Sequence, residues 1–226
     1  VLRAGIRLPI MYELGYDNAN CKGCVKGGEG YWRAIRHDFP EDFEALIDGR
    51  TKAIYAESMG NPTCTVPDLE ALGQLAKRYD VPFVADNTFG AAGYLCNPFE
   101  WGANIVVDSA TKWINGHGTA MGGLIVDGGR FDWQARSDRY PQLTHPDPAF
   151  HQVVFTERYP DAPLVARART VMLRNAGATL AAHSAFLLLQ YGCCTASQEI
   201  KDSPVMLYFV FAAPSFTFRK TMSPLE

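Results

Sequence analysis

Three short apolar runs, each ending at a polar residue, constrain the fold of this chain more than any other feature. Lys52-Ala-Ile-Tyr-Ala56 runs into Glu57, Val81-Pro-Phe-Val-Ala85 into Asp86, and Asn104-Ile-Val-Val107 into Asp108-Ser109. Runs this short and this apolar suit strands covered on both faces. Between the first two, Leu69, Leu72, Leu75 and Ala76 recur at helical spacing. Pro67 suits a helix first turn, Asp68 and Glu70 complement the dipole at the start, and Lys77 and Arg78 do so at the end. The order strand, helix, strand is a βαβ unit, so the spacing predicts an α/β fold with a mostly parallel sheet covered by helices. Gly123-Leu-Ile-Val126 reads as a fourth strand.

The elements around this unit are fewer. Glu41 to Ile47 has helical spacing, and Pro163 to Ala178 and Leu180 to Gln190 read as two helices parted near Gly177. Loops fall at Met59-Gly-Asn-Pro62, Gly116 to Gly123 and Thr144-His-Pro-Asp-Pro148, where Gly and Pro punctuate. With 226 residues and 47% hydrophobic content the chain can bury one large core. Its net charge of −3 is spread without like-charge blocks, which argues against a nucleic-acid partner and for a small molecule. The first residues do not read as a signal peptide, so the expected setting is cytoplasmic. Ser203 to Phe218 is an uncharged, β-prone run of sixteen residues, shorter than a membrane span of roughly 20. No membrane association is expected.

The six cysteines have irregular spacing and read as reduced thiols. Cys21-Lys-Gly-Cys24 has the spacing of half a zinc site, but no second pair follows it, so no metal is expected. Gly27-Gly28-Glu29-Gly30 follows no apolar strand and reads as a loop rather than a phosphate cradle.

The chemistry concentrates at the ends of the apolar runs. Open α/β sheets bind ligands beyond the carboxyl ends of their strands, where Glu57, Asp86 and Ser109 fall. Ser109-Ala-Thr-Lys112-Trp113 supplies an amine able to form a Schiff base, and Asp86 a carboxylate able to keep a pyridine nitrogen protonated. Ser109 and Thr111 add hydroxyls that could donate to a phosphate. Each residue alone is explained as cheaply by turn chemistry, and only the combination points to pyridoxal phosphate. A serine hydrolase built from Ser109, His117 and Asp86 is the competing arrangement, but Asp108-Ser109-Ala110 is not a Gly-x-Ser-x-Gly elbow.

Glu57-Ser-Met-Gly-Asn61-Pro62, Val66-Pro-Asp68, Val84-Ala-Asp86-Asn-Thr88-Phe89, Tyr94-Leu-Cys-Asn-Pro98 and Asp108 through Gly118 together resemble the transsulfuration family, the Cys/Met-metabolism group of pyridoxal phosphate enzymes. The resemblance is strongest to its sulfhydrylase branch and covers residues 40–190, leaving 1–39 and 191–226 unlike the family. It implies the large domain of the aspartate-aminotransferase-like (fold type I) architecture. It also implies pyridoxal 5′-phosphate as cofactor, Lys112 as its covalent lysine, Asp86 as the pyridinium partner, and Ser109 and Thr111 as phosphate ligands. Asn61 would contact the phenolic oxygen or the substrate, and Thr88 would lie close to the ring. The implied reaction exchanges the acetate of O-acetylhomoserine, a small amino-acid substrate, for sulfide or a thiol, giving homocysteine or methionine. The implied assembly is a homo-oligomer, dimer or tetramer. The alternatives left open are a catalytically inactive piece that keeps part of the cofactor-binding domain, and another activity of the family: cystathionine synthase or lyase, or methionine γ-lyase. Arg167, Arg169 and Arg174 are not read as substrate ligands but as a solvated or pairing helix face.

Overall fold

The computed structural model describes residues 47–62, 64–195 and 206–208, with the backbone alone at 191–195 and 206–208. The expected helix Glu41 to Ile47, the Cys21–Cys24 pair and the Gly27–Gly30 run lie outside the described residues, apart from Ile47. The chain divides into two compact units, 1–50 with 60–67 and 51–59 with 68–226. In the first unit, Arg50 pairs with Asp48 at 3.0 Å, fully at the surface. There the 60–65 loop closes on itself: Gly60 N–H donates to the Thr65 carbonyl at 2.8 Å and Cys64 N–H to the Gly60 carbonyl at 2.7 Å.

The second unit holds a five-stranded sheet in sequence order: β1 (Ile54–Glu57), β2 (Phe83–Asp86), β3 (Ile105–Asp108), β4 (Leu124–Asp127) and β5 (Met206–Tyr208). β1, β2 and β3 run parallel, and β4 and β5 add antiparallel at one edge. Each of the four expected strands is present, displaced one or two residues toward its polar end, so that Glu57 and Asp86 close their strands instead of following them. β5 is the described part of the β-prone run and pairs with β4 through Leu207 and Val126.

The crossover between β1 and β2 is helix α1 (Leu69–Tyr79). Its start is fixed by the Asp68 carboxylate, which accepts the Ala71 N–H at 2.9 Å, as an N-cap should. Its end is fixed by Asp80, whose left-handed backbone (φ 53°) returns its N–H to the Ala76 and Lys77 carbonyls. The expected stripe is the buried one: Leu69, Leu72 and Ala76 pack with Phe83, Ala85 and Val106 on one face of the sheet. Gly73, also on this face, lets α1 approach the turn at Pro98–Trp101, since a Cβ there would stand 2.1 Å from the Trp101 carbonyl oxygen. Burying a side chain the size of Phe83 or Leu72 contributes about 1.5–3 kcal/mol, so this face alone sets the layer arrangement.

The opposite face carries Ile105 with Trp133, Tyr140, Leu143, Phe155 and Val171. Leu143, Phe155 and Val171 come from α2 (Pro141–Thr144), α3 (Phe155–Arg158) and α4, which runs as Pro163–Arg167, a π-helical Ala168–Met172 and Leu173–Ala176, and Trp133 and Tyr140 from the connection before α2. Trp133 and Tyr140 meet edge to face at 5.1 Å, the arrangement favoured by aromatic quadrupoles. Gly177, left-handed at φ 65°, ends α4 where a stop is expected. Helix α5 (Ala182–Thr195) begins two residues later than the spacing predicts and continues through Tyr191-Gly-Cys-Cys-Thr195. Leu188 of α5 and Leu180 just before it form a third cluster with Ala110, Ile114, Ala120 and Leu124. Among the described residues no helix is long and apolar enough to cross a membrane, and no group of ligating side chains could hold a metal ion.

Candidate active site

Because β2 and β3 are parallel neighbours, their carboxyl ends open on one edge, with Asp86 in register with Val107. The ladder continues past the strand ends: Ser58 N–H donates to the Asp86 carbonyl and Asn87 N–H to the Val107 carbonyl, both at 2.8 Å. The loops that follow therefore leave the sheet in fixed positions. Thr88 connects two of them. Its N–H and Oγ1 donate to Asp86 Oδ1 at 3.0 and 2.6 Å, and its Oγ1 accepts the Ser109 N–H at 2.9 Å. One threonine thus ties the carboxylate to the first residue of the lysine-bearing loop. Asp86 Oδ2 accepts the Tyr55 phenol at 3.0 Å. A carboxylate oxygen has two lone-pair directions, so Oδ2 keeps room for a second donor.

The lysine loop is anchored from beneath and open above. Ala110 and Ile114 are buried in the third cluster, while Lys112 and Trp113 are exposed. Lys112 N–H donates to the Ser109 carbonyl at 3.1 Å, and Gly116 N–H to the Lys112 carbonyl at 2.8 Å. Thr111 is engaged at both ends of its hydroxyl, which donates to the Gly122 carbonyl at 3.2 Å and accepts the Gly122 N–H at 3.0 Å. Beyond it Asn115, fully buried, donates to the Ala120 carbonyl and accepts the Thr119 hydroxyl, both at 3.2 Å, so the Gly116–Ala120 turn is pinned from inside.

Five of the six residues expected at the site, Asp86, Thr88, Ser109, Thr111 and Lys112, therefore share one unit and one sheet edge. Asn61, the sixth, is an exposed residue of the first unit. The triad arrangement has no support: Asp86 is oriented by Thr88 and Tyr55, and His117 Nδ1 lies 2.8 Å from the Asn115 carbonyl, an ordinary loop contact. Tyr55 was not foreseen. Its alternation with Glu57 along β1 carried the signal, but only the β1–β2 register, Tyr55 against Val84 and Glu57 against Asp86, brings it to the carboxylate.

A family profile described as Cys/Met metabolism PLP-dependent enzyme matches residues 21–198. The chain belongs to that family. Homocysteine/cysteine synthase of Saccharomyces cerevisiae is 45% identical over 158 residues, which are 70% of this chain and 36% of that protein. O-acetyl-L-homoserine sulfhydrylase 1 of Thermus thermophilus is 45% identical over 154 residues, 68% of this chain and 36% of its own. A solved structure from Campylobacter jejuni, assigned as an O-acetylhomoserine (thiol)-lyase and carrying N′-pyridoxyl-lysine-5′-monophosphate, superposes with a TM-score of 0.62 and 34% identity over 73% of this chain and 40% of that one. The chain spans 36% of the length of these two curated relatives, a little over a third. Its sheet and helices are accordingly part of the fold type I large domain of the PLP-dependent Cys/Met enzymes.

In this family member a second acid lies beneath the edge. Asp108, the last residue of β3, is buried, and its Oδ1 has no hydrogen-bond partner among the described residues. Burial pushes its carboxyl up to about 7; the charge on Asp86 adds to the rise and a hydrogen bond from the Ala92 backbone opposes it. The ordinary value is 3.8, so the folded state holds this proton more tightly than the unfolded chain does. Its favourable contribution is complete below that ordinary value and is lost as the pH rises through about 7. Asp108→Asn should flatten this slope: urea denaturation near neutral-to-alkaline pH should show the variant more stable than the parent by on the order of 2 kcal/mol, the two converging only as the pH falls toward 3.8. Equal slopes for both proteins would show that Asp108 does not control it.

Proposed function

We propose that this chain forms the cofactor-bearing part of a sulfhydrylase that exchanges the acetate of O-acetylhomoserine for sulfide or a thiol, giving homocysteine or methionine. The observation that supports it is the Asp86–Thr88–Ser109 linkage, which brings a ring-nitrogen carboxylate and the lysine loop to a single edge. The donor set fits pyridoxal phosphate. Asp86 Oδ2 has a lone pair for a pyridinium N–H, the Lys112 amine stands on an open loop, and the Ser109 hydroxyl is free of the hydrogen bonds that occupy Thr111.

When bound, the cofactor supplies an electron-withdrawing ring that stabilises negative charge on substrate carbons. The chain's own residues do the rest. Asp86, fixed by two Thr88 donors, would hold the protonated ring nitrogen. Lys112 would hold the cofactor covalently, and its amine is the group on the chain that would carry protons to and from the substrate. Ser109 would bind the phosphate, whereas Thr111 would join only by turning its hydroxyl away from the Gly122 carbonyl. Asn61, in the first unit, stays outside this part of the proposal. The reading carries with it a homo-oligomeric assembly, drawn from the family, and a cytoplasmic setting.

The test separates binding from turnover. The purified chain is incubated with pyridoxal phosphate, reduced with borohydride and digested, and a pyridoxyl adduct is expected on Lys112. Acetate release from O-acetylhomoserine, with sulfide present and absent, then tests the reaction. An adduct spread over surface lysines, with none favoured, would sink the cofactor assignment. A specific adduct without sulfide-dependent turnover would sink the reaction alone.

A further inference from the structure

We infer that Tyr55 is a positioning residue of the site, one that acts on the ring nitrogen of the cofactor through Asp86. This rests on the reading of Asp86 given above. The phenol donates to Asp86 Oδ2 at 3.0 Å, while Thr88 supplies both donors to Oδ1. Oδ2 is thus the oxygen with acceptor capacity to spare, and Tyr55 is the side chain that decides where its remaining lone pair points.

The fold makes the contact specific. Tyr55 and Val84 are register partners on adjacent parallel strands, as are Glu57 and Asp86, and strand side chains two residues apart share a face. Tyr55 therefore stands diagonally across from Asp86 and reaches it from the sheet surface, without help from a loop. The ring is 58% exposed, so apolar burial is not what holds it there. Its hydroxyl end is nonetheless in a site that resists ionisation: burial, the hydrogen bond to Asp86 and the charges of Asp86 and Glu57 all push the phenol well above its ordinary value. Tyr55 therefore remains a donor throughout the working pH range. Thr88 fixes one oxygen to the lysine loop and Tyr55 fixes the other to the edge strand, so the carboxylate plane cannot rotate.

A matched pair of ligands tests this role. Pyridoxal phosphate and its 1-deaza analogue, in which carbon replaces the ring nitrogen, differ only at the atom Asp86 would meet. Tyr55→Phe should weaken equilibrium binding of pyridoxal phosphate by about fivefold, the worth of one partly exposed hydrogen bond to a charged group. Binding of the deaza analogue should not change. In an Asp86→Asn background the Tyr55 substitution should have no further effect on either ligand. Equal weakening of both ligands, or an undiminished effect in the Asp86→Asn background, would assign Tyr55 a structural role and overturn the inference. Unchanged affinity for pyridoxal phosphate in Tyr55→Phe would overturn it too, while leaving the cofactor assignment intact. A parent chain that binds neither ligand would overturn the cofactor assignment and the inference together.

Discussion

Replacement of Lys112 by alanine is expected to abolish both covalent retention of pyridoxal phosphate and turnover, the latter by at least about 10³-fold, since one side chain supplies the covalent anchor and the proton carrier. Stability should hardly change. The lysine side chain is exposed, and the loop is held by backbone hydrogen bonds and by Ala110 and Ile114 beneath it, so a shift beyond roughly 0.5 kcal/mol is not expected. Borohydride trapping with peptide mapping reads the first effect and acetate release the second. Retained acetate release in Lys112→Ala would remove the family chemistry from this chain and return attention to Ser109 and its hydrolytic alternative.

Replacement of Arg167 by alanine should have the largest effect on stability. Its Nε lies 2.8 Å from Asp147 Oδ2, and the Asp147 side chain is only 4% exposed, so the substitution strands a carboxylate away from water. Breaking such a pair from one side costs about 3–5 kcal/mol, toward the lower end here because Ala149 N–H still donates to the other oxygen at 2.8 Å. For a chain of this size the melting temperature should fall by roughly 6–12 °C. Arg167→Met combined with Asp147→Leu should recover most of the loss, since no charge is then left buried. A single substitution costing less than about 1 kcal/mol would mean that the acid finds water or another donor. The pairing also shows what this face of α4 does: Arg167 is occupied with Asp147, and Arg174 donates to the Ala149 carbonyl at 2.9 Å.

The parallel core was legible because its signals are local. Apolar runs mark strands, Asp68 and Glu70 mark a helix start and Lys77 and Arg78 its end, and strand ends in an open sheet face one edge whatever the surrounding loops do. For the same reason Asp86, Ser109 and Lys112 could be gathered before any coordinates. The direction of β4 could not. Leu124–Asp127 has the same apolar character as the parallel strands, and its antiparallel pairing depends on a connection from β3 that contains no crossover helix. Partnerships set by register or by long loops were equally silent: Tyr55 meets Asp86 across 31 residues and Arg167 meets Asp147 across 20. The partner of Thr111 was silent for a related reason, since nothing in Ser-Ala-Thr-Lys reveals that its hydroxyl bonds to Gly122, 11 residues on.

That attachment has a wider meaning. A Cβ at Gly122 would stand 2.6 Å from Leu188 Cδ1 and 3.4 Å from Leu180 Cδ1, so the bare backbone of residue 122 is wedged between the threonine it holds and two leucines, one in α5 and one just before it. The loop that carries Lys112 thus rests, through Thr111 and Gly122, on the packing of α5. Drift in this family toward smaller or larger residues at Leu180 or Leu188 would retune the chemistry from below, without touching a single reactive group.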